Sequence, residues 1–323
     1  MKIRRVAVVV LNWNGWSDTL VCLNSLYSSV EHDLARIIIV DNASTDESLE
    51  KIRQWLDKTR AEYLEIAEMN IASKFSAPVS TLPAYNLIPA LRNLGYAAGN
   101  NIGINLALQI ADTEYVFVLN NDTIVEADCI ARLTRFADCH REIGIVGSTL
   151  VEDDGHTRTA GGAKYNPLLT MSKPVPANSG DAGSAIDYIC GAAMFIRAAV
   201  FRQVGLFSHD YFLYFEELDL TRRAMTAGFG IGWCPDSTVY HLGGRAAGSR
   251  TATQQKSALA EYHSNLSCLI FTRKFYNNIF WLAAPLRFVL KSLHSMINRQ
   301  LGLMRPLVEA YWDYFCRPTP GSR

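Results

Sequence analysis

The sequence predicts an α/β protein with a doubly wound, mostly parallel central sheet flanked by helices. Two short runs of mainly β-branched apolar residues, Val6 to Leu11 and Ile37 to Val40, lack polar alternation and are typical of buried parallel strands. A stretch with helical spacing of apolar residues follows each run. The order strand, helix, strand, helix along the chain indicates this fold class.

The elements are predicted in order from these patterns. The first helix begins near Ser17, and the second runs from Ser44 to Trp55 with Ser44 as its N-cap. A third strand is expected near Tyr63 to Ile66. Residues 67–90 contain three prolines and several Ser and Thr residues, which predicts a long surface loop. The later expectations are helices over 99–110 and 126–136, and strands over 115–119, 143–151 and 188–196.

Composition limits the class of protein and its partners. With 323 residues, of which 49% are hydrophobic, the chain can bury one sizeable core and a smaller appended unit. We expect a catalytic domain over residues 1–245 and a helical region over residues 246–323. The 31 basic and 31 acidic residues balance, so no nucleic-acid partner is expected.

The cysteines and the N-terminus bear on location. Seven scattered cysteines, with no Cys-x-x-Cys pair, indicate neither a zinc site nor a disulfide framework and fit a reducing cytoplasm. The basic start resembles a signal peptide, but its apolar run is short and no small-residue cleavage site follows. We therefore interpret that run as the first buried strand.

The C-terminal region is predicted to be helical, amphipathic and basic. Residues 273–323 carry eight Lys or Arg and two acidic residues, and 278–303 places apolar residues opposite Arg287, Lys291, His294 and Asn298. Pro285 and the charges interrupt the run too early for a spanning helix. Two interpretations stay open: the helix lies on an anionic leaflet, or it packs its apolar face on the catalytic domain and exposes the basic face.

Three strand ends are expected to converge on one site, because ligands of open α/β sheets bind beyond the carboxyl ends of the strands. Asn12, Asp41 and Asp122 follow predicted strands. Asp41 could accept the N3 proton of a uracil or thymine ring, or it could cap a helix. Asp122 could hold Mg²⁺ or Mn²⁺ together with phosphate oxygens, although Asn-Asp-Thr is also ordinary turn chemistry.

A second group of candidates lies later in the chain. Glu216, Glu217 and Asp219 follow the aromatic run 211–215, and crowded carboxylates beside apolar residues gain the proton affinity that a general base needs. The alternative is a solvated start of a helix. His241 follows another predicted strand and could complete a metal shell, or it could be structural.

Seven sequence blocks, taken in order, resemble the family 2 glycosyltransferases of the GT-A fold, and in particular the bacterial rhamnosyltransferase-like subgroup. The resemblance spans roughly residues 5 to 245. The blocks are Leu11-Asn12-Trp13-Asn14-Gly15, Val40-Asp41-Asn42-Ala43-Ser44-Thr45-Asp46, Asn93-Leu94-Gly95-Tyr96-Ala97-Ala98-Gly99-Asn100-Asn101, Leu119-Asn120-Asn121-Asp122-Thr123, Cys190-Gly191-Ala192-Ala193-Met194, Tyr214-Phe215-Glu216-Glu217-Leu218-Asp219-Leu220 and His241-Leu242-Gly243-Gly244.

The resemblance implies a role for particular residues. A nucleobase would lie among Leu11, Trp13 and Asp41, and Asn93, Gly95 and Asn101 would line the nucleotide-sugar pocket. Asn121 and Asp122 match the metal motif, with His241 as a second ligand of Mg²⁺ or Mn²⁺. Glu217 would be the catalytic base, while Gly191, Glu216 and Asp219 would lie near the donor sugar and the acceptor, and Glu216 and Asp219 remain rivals as the base. The chain departs from the pattern at Asn120, Asn121, Glu217, Arg245 and Ser264.

The resemblance implies an inverting glycosyltransferase with a nucleoside-diphosphate-sugar donor, either deoxythymidine-diphosphate rhamnose or a uridine-diphosphate sugar. The expected acceptor is a hydroxyl of a lipid-linked or polysaccharide glycan of the cell envelope. We expect a cytoplasmic enzyme, peripheral at the inner face of the membrane, which could form oligomers. A non-catalytic sugar-nucleotide-binding protein is the less favoured alternative. A nucleotidyltransferase is disfavoured because residues 12–15 lack a basic residue.

Overall fold

The computed structural model of the chain describes residues 5–28, 35–74, 82–243 and 257–316. The expected domain boundary at 245/246 and Arg245 lie outside the described residues. The strands are β1 (Val6–Asn12), β2 (Ala35–Asp41), β3 (Tyr63–Glu65), β4 (Tyr85–Pro89), β5 (Tyr115–Asn120), β6 (Thr123–Val125), β7 (Ile143–Glu152), β8 (Arg158–Asn166), β9 (Met171–Pro176), β10 (Tyr188–Ile189), β11 (Ala193–Arg197) and β12 (Gly230–His241).

Helices cover both faces of the sheet and form the C-terminal region. They are α1 (Trp16–Ser28), α2 (Ser48–Lys58), α3 (Glu68–Lys74), α4 (Gly95–Gln109), α5 (Cys129–Cys139), α6 (Ala198–Val204), α7 (Glu216–Thr226), α8 (Ala258–Phe275), α9 (Phe280–Ile297) and α10 (Met304–Cys316). No helix within the described residues is both long and apolar enough to cross a bilayer.

The strands form one sheet whose central path runs β10-β8-β7-β11-β5-β1-β2-β4-β3. The half from β5 to β3 is parallel, whereas β11 runs antiparallel to both β5 and β7. Strand β1 is buried on both faces, because Val9 packs with one hydrophobic cluster and Val8 and Val10 pack with the other. The predicted fold class, a mostly parallel sheet flanked by helices with further helices at the C-terminus, is therefore confirmed.

The prediction of a loop over residues 67–90 is wrong, because the segment contains α3 and β4. Strand β4 is buried and pairs in parallel with β2 on one side and β3 on the other. The strand has only five residues, and Pro89 is the last of them. Pro83 and Pro89 therefore bound a buried strand and do not mark a continuous loop.

Other predicted boundaries also change: α4 begins at Gly95 and not at Gly99, and α5 begins at Cys129 and not at Glu126. Helix α2 begins at Ser48 and has Glu47 as its N-cap, so Ser44 does not cap it. The single strand expected over 188–196 is two strands, since β10 pairs with β8 while β11 pairs with β5 and β7. The break between them at residues 190–192 carries the chain to a different part of the sheet.

Helix α9 turns Arg287 and Lys291 towards the protein, which is the opposite of one of the two interpretations of its sequence. Arg287 is only 6% exposed, and Lys291 forms an ion pair with the buried Glu261 of α8. Most of its large apolar side chains after Phe280 are exposed, so the interpretation in which the apolar face packs on the catalytic domain and the basic face is exposed is wrong. We call the outward apolar residues of α9, Leu301 and α10 the apolar face: Trp281, Leu282, Val289, Leu290, Leu293, Met296, Ile297, Leu301, Val308, Trp312 and Phe315.

Helix α4 approaches the sheet closely because glycines replace side chains on its inner face. A Cβ built at Gly103 would lie 2.6 Å from Cγ1 of Val9 and 3.1 Å from Cγ2 of Val40. At Gly99, the same atom would lie 2.8 Å from Cδ1 of Leu11. These glycines set the distance between α4 and the ends of β1 and β2.

We expect Gly103→Ala to destabilise the protein by about 1–3 kcal/mol, because overpacking against β1 outweighs the gain of about 1 kcal/mol in helix propensity. The measurement is the urea midpoint of unfolding followed by circular dichroism. Gly180→Ala is the matched control, since nothing lies within 4 Å of a Cβ at Gly180. Equal midpoints for the two variants would show that the close approach does not constrain α4.

Candidate active site

A cavity of about 120 Å³ lies beyond the carboxyl ends of the parallel strands. Six of the residues expected at the site line it: Leu11, Trp13, Asn93, Gly95, Asn121 and Asp122. The remaining lining residues were not named as site residues from the sequence: Asn42, Tyr96, Asn120, Phe212, Leu213 and Leu259. Asn42, Tyr96 and Asn120 lie within the sequence blocks that carry the family resemblance. Their position in these blocks could have identified them as site residues.

A chain of buried polar side chains underlies this first cavity. Asn121 Nδ2 donates to Thr19 Oγ1 at 2.9 Å, and Thr19 Oγ1 donates to Asn12 Oδ1 at 2.7 Å. Asn12 Nδ2 then donates to Asp41 Oδ1 at 2.7 Å, and Ser44 Oγ donates to the same oxygen at 2.7 Å. Asp41 is 2% exposed and lies behind the residues that line the cavity.

The turn before α4 explains why Gly95 is required. Gly95 has φ +77°, and a Cβ there would lie 2.2 Å from the carbonyl oxygen of Phe212. That carbonyl accepts the amide of Tyr96 at 2.7 Å. The side chain of Asn42 holds the same turn, because it donates to Asn93 Oδ1 at 2.9 Å and accepts from the Leu94 amide at 3.1 Å.

Asn101 and Asp219 are expected site residues that lie outside the first cavity and bind other parts of the protein. Asn101 uses both ends of its amide on the backbone of Phe207, at 2.8 Å and 3.1 Å. Asp219 is fully buried; its carboxylate accepts from Lys274 Nζ at 2.6 Å and from the Tyr211 hydroxyl at 3.1 Å, and pairs with Arg223. These contacts hold the Phe207 segment and the start of α7 in place.

The start of α7 presents two adjacent carboxyl groups. Tyr214 and Phe215 have φ values of 68° and 71°, an uncommon left-handed conformation for aromatic residues, and they turn the chain sharply into the helix. Burial raises the pKa of Glu217 to about 7. Burial, together with the neighbouring Glu217 charge, raises the pKa of Glu216 well above its usual range. At neutral pH, the pair therefore shares protons.

Tyr96 lies between the first cavity and this carboxyl pair, and it holds Gly191. The Gly191 carbonyl accepts the hydroxyl of Tyr96, which lines the cavity, at 2.8 Å. Burial and the charges of Glu216 and Glu217 raise the pKa of Tyr96 well above its usual range. The Tyr96 hydroxyl is therefore a neutral hydrogen-bond donor at the boundary between the cavity and the carboxyl pair.

Asp122 and His241 lie together because β6 pairs with β12, with Thr123 opposite His241. Asp122 Oδ1 lies 3.6 Å from His241 Nε2, and Glu152 Oε2 lies 3.6 Å from His241 Nδ1. Carboxylate and imidazole are suitable ligands for Mn²⁺. Within the part of the chain that the structure describes, no group of three or more His, Cys, Asp or Glu side chains is arranged to hold an ion.

A second cavity, of about 340 Å³, adjoins Glu217 on the side of the C-terminal helices. This volume is within the range usual for small-molecule sites. Helix α7, the turn between β8 and β9, and helices α8 and α9 form its walls. Its lining residues are Thr170, Met171, Ser172, Tyr188, Tyr214, Phe215, Glu217, Leu218, Ser264, Arg287 and Lys291.

Known proteins resemble this chain in sequence and in fold. A hexosyltransferase of low-salt glycan biosynthesis, Agl10 of Haloferax volcanii, is 24% identical over 238 residues, which are 73% of this chain and 66% of Agl10. The N-acetylglucosaminyl-diphospho-decaprenol L-rhamnosyltransferase of Mycobacterium tuberculosis is 26% identical over 258 residues, with 71% and 81% coverage. The crystal structure of GalNAc-T7 with UDP, GalNAc and Mn²⁺ superposes with a TM-score of 0.60 at 16% identity, over 85% of this chain and 49% of that one.

The structural likeness identifies the fold as GT-A, in agreement with the sequence blocks. The family description that matches the sequence is "Glycosyltransferase like family 2", over residues 4–264. This match covers well over half of the chain. The chain therefore belongs to glycosyltransferase family 2 and is a glycosyltransferase.

Proposed function

We propose that this glycosyltransferase moves a sugar from a nucleoside-diphosphate donor to an acceptor hydroxyl with inversion, and that Glu217 is the base. The observation that carries the proposal is the position of Glu217. It lines the second cavity, its charge acts on Tyr96 of the first, and its pKa is raised to about 7. A base with that pKa is ionised often enough and basic enough to work near neutral pH.

The donor is assigned to the first cavity. Trp13 and Leu11 offer apolar surface for a nucleobase, and Asn42, Asn93 and Asn121 offer amides for ribose, phosphate or sugar groups. We assign Asp41 and Asn101 to holding this wall, because their hydrogen bonds go to neighbouring protein groups. Deoxythymidine-diphosphate rhamnose is the favoured donor, since one relative is named a rhamnosyltransferase; uridine-diphosphate sugars are the alternative.

The residues around Asp122 suit a divalent cation. Asp122 and His241 would hold Mg²⁺ or Mn²⁺, with the donor diphosphate and water completing the shell. When bound, such an ion supplies positive charge to the departing diphosphate. The GalNAc-T7 structure contains Mn²⁺, which supports this assignment by analogy of fold.

The proposed reaction is a single displacement. Glu217 takes the proton of the acceptor hydroxyl while its oxygen bonds to the anomeric carbon, and the bond from that carbon to the diphosphate breaks. The nucleoside diphosphate leaves with the bonding electrons. One displacement at the anomeric carbon inverts its configuration.

Glu217→Gln is expected to lower kcat by about 10²–10⁴-fold and to leave donor affinity nearly unchanged, because it removes the base and keeps the shape of the side chain. Product formation is measured by mass spectrometry, and donor binding by calorimetry. In the parent enzyme, kcat/KM should fall about tenfold per pH unit below about pH 7, as Glu217 becomes protonated. Full activity of the variant would transfer the role of base to Glu216.

The melting temperature at different pH values tests whether the carboxyl of Glu217 has the raised pKa. The pKa of Glu217 is raised in the folded state, so its protonation stabilises the fold below about pH 4.5, and this contribution is lost as pH rises through about 7. Glu217→Gln should therefore have a higher melting temperature than the parent at pH 8 and not at pH 5. Glu309→Gln, an exposed carboxylate of α10, should show no such pH-dependent difference.

Asp122→Ala should abolish the stabilisation that a nucleotide sugar gives in the presence of Mn²⁺, because a ligand bound only to the native state raises its melting temperature. The panel contains deoxythymidine-diphosphate rhamnose and several uridine-diphosphate sugars, with Mn²⁺ or with EDTA. Asp112→Ala, at an exposed position, is the matched control. Binding of a donor without turnover towards any acceptor would favour the non-catalytic alternative.

We propose further that the apolar face rests on a membrane surface. Trp281 stacks on Phe315 with ring centroids 6.2 Å apart, so the outward apolar residues of α9 and α10 meet in one surface. Arg273 lies over the Trp281 ring at one end of α9, and the exposed Arg299 lies beyond the other end. Aromatic rings and arginines bordering an apolar helix face are typical of segments that lie in the membrane interface.

The double variant Leu293→Ser with Ile297→Ser should lose most of its flotation with vesicles of phosphatidylethanolamine and phosphatidylglycerol, since it removes two exposed apolar side chains. Met69→Ser with Leu91→Ser, which changes exposed apolar residues elsewhere, should float like the parent. Light scattering is run on the same samples. A parent that does not float and forms a dimer that the double variant loses would assign the face to self-association.

A further inference from the structure

The second cavity contains a buried guanidinium without a direct counter-charge. The side chain of Arg287 donates to Asn265 Oδ1 at 2.9 Å, to the Thr170 carbonyl at 3.0 Å and to the Ser264 carbonyl at 3.1 Å. These acceptors are all neutral. Among the residues that the structure describes, no ion pair joins Arg287 to a carboxylate, and Glu261 reaches it only through Asn265.

A buried charge is costly unless an opposite charge compensates it. The neutral hydrogen bonds orient the Arg287 guanidinium and satisfy its donors, but they leave its positive charge acting on the cavity that it lines. An anion in that cavity would provide the missing compensation. Arg287 therefore contributes mainly an electrostatic field, and a neighbouring group must supply hydrogen bonds to such an anion.

Lys291 is the neighbour that can donate. It lies one turn after Arg287 on α9, lines the same cavity, and contacts the two oxygens of Glu261 at 2.9 Å and 3.1 Å. An ammonium group has three donors, so one remains for a ligand. The hydroxyl groups of Ser172 and Ser264 also lie in the lining.

The charge balance of the lining favours an anion. The lining holds two cations, Arg287 and Lys291, and one carboxylate, that of Glu217. The Glu261 carboxylate behind the lining pairs with Lys291, so Arg287 is the cation that no ion pair within the described residues compensates. The pKa of Glu217 is raised to about 7, so its negative charge is only partial at neutral pH. The tyrosines of the lining, Tyr188 and Tyr214, stay neutral because burial raises the pKa of both.

The carboxyl of Glu217 and the two cations of α9 line one cavity, and the outer side of the same helix carries part of the apolar face. An acceptor that matches them has a hydroxyl-bearing sugar, then an anionic group, then an apolar chain. A sugar carried on a lipid diphosphate has these parts in this order. A neutral polysaccharide would leave the cations without a partner.

We propose that Arg287 and Lys291 form an anion subsite for the diphosphate of a lipid-linked acceptor, in the second cavity beside Glu217. This inference rests on the proposed function, in which Glu217 deprotonates an acceptor bound there. It assigns to α9 a role in substrate selection in addition to its outward apolar face. It also accounts for the inward direction of Arg287 and Lys291 in a helix whose apolar side chains face outwards.

The test is calorimetric binding of citronellyl diphosphate, citronellol and inorganic pyrophosphate to the full chain in EDTA without donor, which removes metal-dependent binding at the donor cavity. The parent should bind the prenyl diphosphate most tightly, and citronellol about tenfold or more weakly. Lys291→Met should weaken binding of the prenyl diphosphate about tenfold or more. Arg305→Met, which removes an 87% exposed cation of α10, should bind like the parent.

Arg287→Lys keeps the charge and protects the test against misfolding, because Arg287→Met could disrupt the contacts with α8. Weak binding of the prenyl diphosphate by a folded Arg287→Met, with binding retained in Arg287→Lys, would support a role for the positive charge at this position. Unchanged binding in Lys291→Met would overturn the subsite. Equal affinity for pyrophosphate and the prenyl diphosphate would assign the site to a free anion. A parent that responds to a donor in the thermal assay but binds no diphosphate would refute this inference alone and leave the proposed function intact.

Discussion

The parallel register of β1, β2 and β5 is the constraint on which the site depends. Asn12 pairs with Asp41 across β1 and β2, and Leu11 pairs with Asn120 across β1 and β5, so three strands end at one level. Each then delivers polar residues to the same edge. The hydrogen-bonded chain from Asn121 through Thr19 and Asn12 to Asp41 joins these ends, so protein groups already hold one another behind the wall of the first cavity.

A second constraint positions the carboxyl pair. Two consecutive left-handed residues, Tyr214 and Phe215, turn the chain into α7, and the buried ion pairs of Asp219 fix the first turn of that helix. Left-handed aromatic residues are strained, and buried carboxyl groups with raised pKa values oppose folding at neutral pH. The neighbouring contacts therefore offset the free energy that it costs to hold Glu216 and Glu217 where they are.

The C-terminal helices form part of the walls of the site, although they come after the other site residues in the sequence. Helix α8 holds the Phe212–Leu213 segment, because Ser267 donates to the Leu213 carbonyl at 2.9 Å and the His263 ring stacks on Phe212. Helix α9 ties α8 to the turn between β8 and β9 through Arg287. The first cavity, the carboxyl pair and the second cavity thus share walls with a region that the sequence suggested was an appendage.

The amino-acid sequence by itself determined the strand–helix order at the start of the chain, the strand ends at Asn12 and Asp41, the position of Asp122 just after β5, and the family, because apolar periodicity and ordered motifs are local properties of the chain. It did not reveal β4, since a five-residue strand bounded by prolines has the same local pattern as a loop. It did not separate Asp41, which lies behind the cavity wall, from Trp13, which lines it, because burial depends on neighbours distant in the chain. The direction of α9 was also decided by tertiary structure: periodicity defines two faces of a helix, and only the buried partners of Arg287 and Lys291 select which one points inwards.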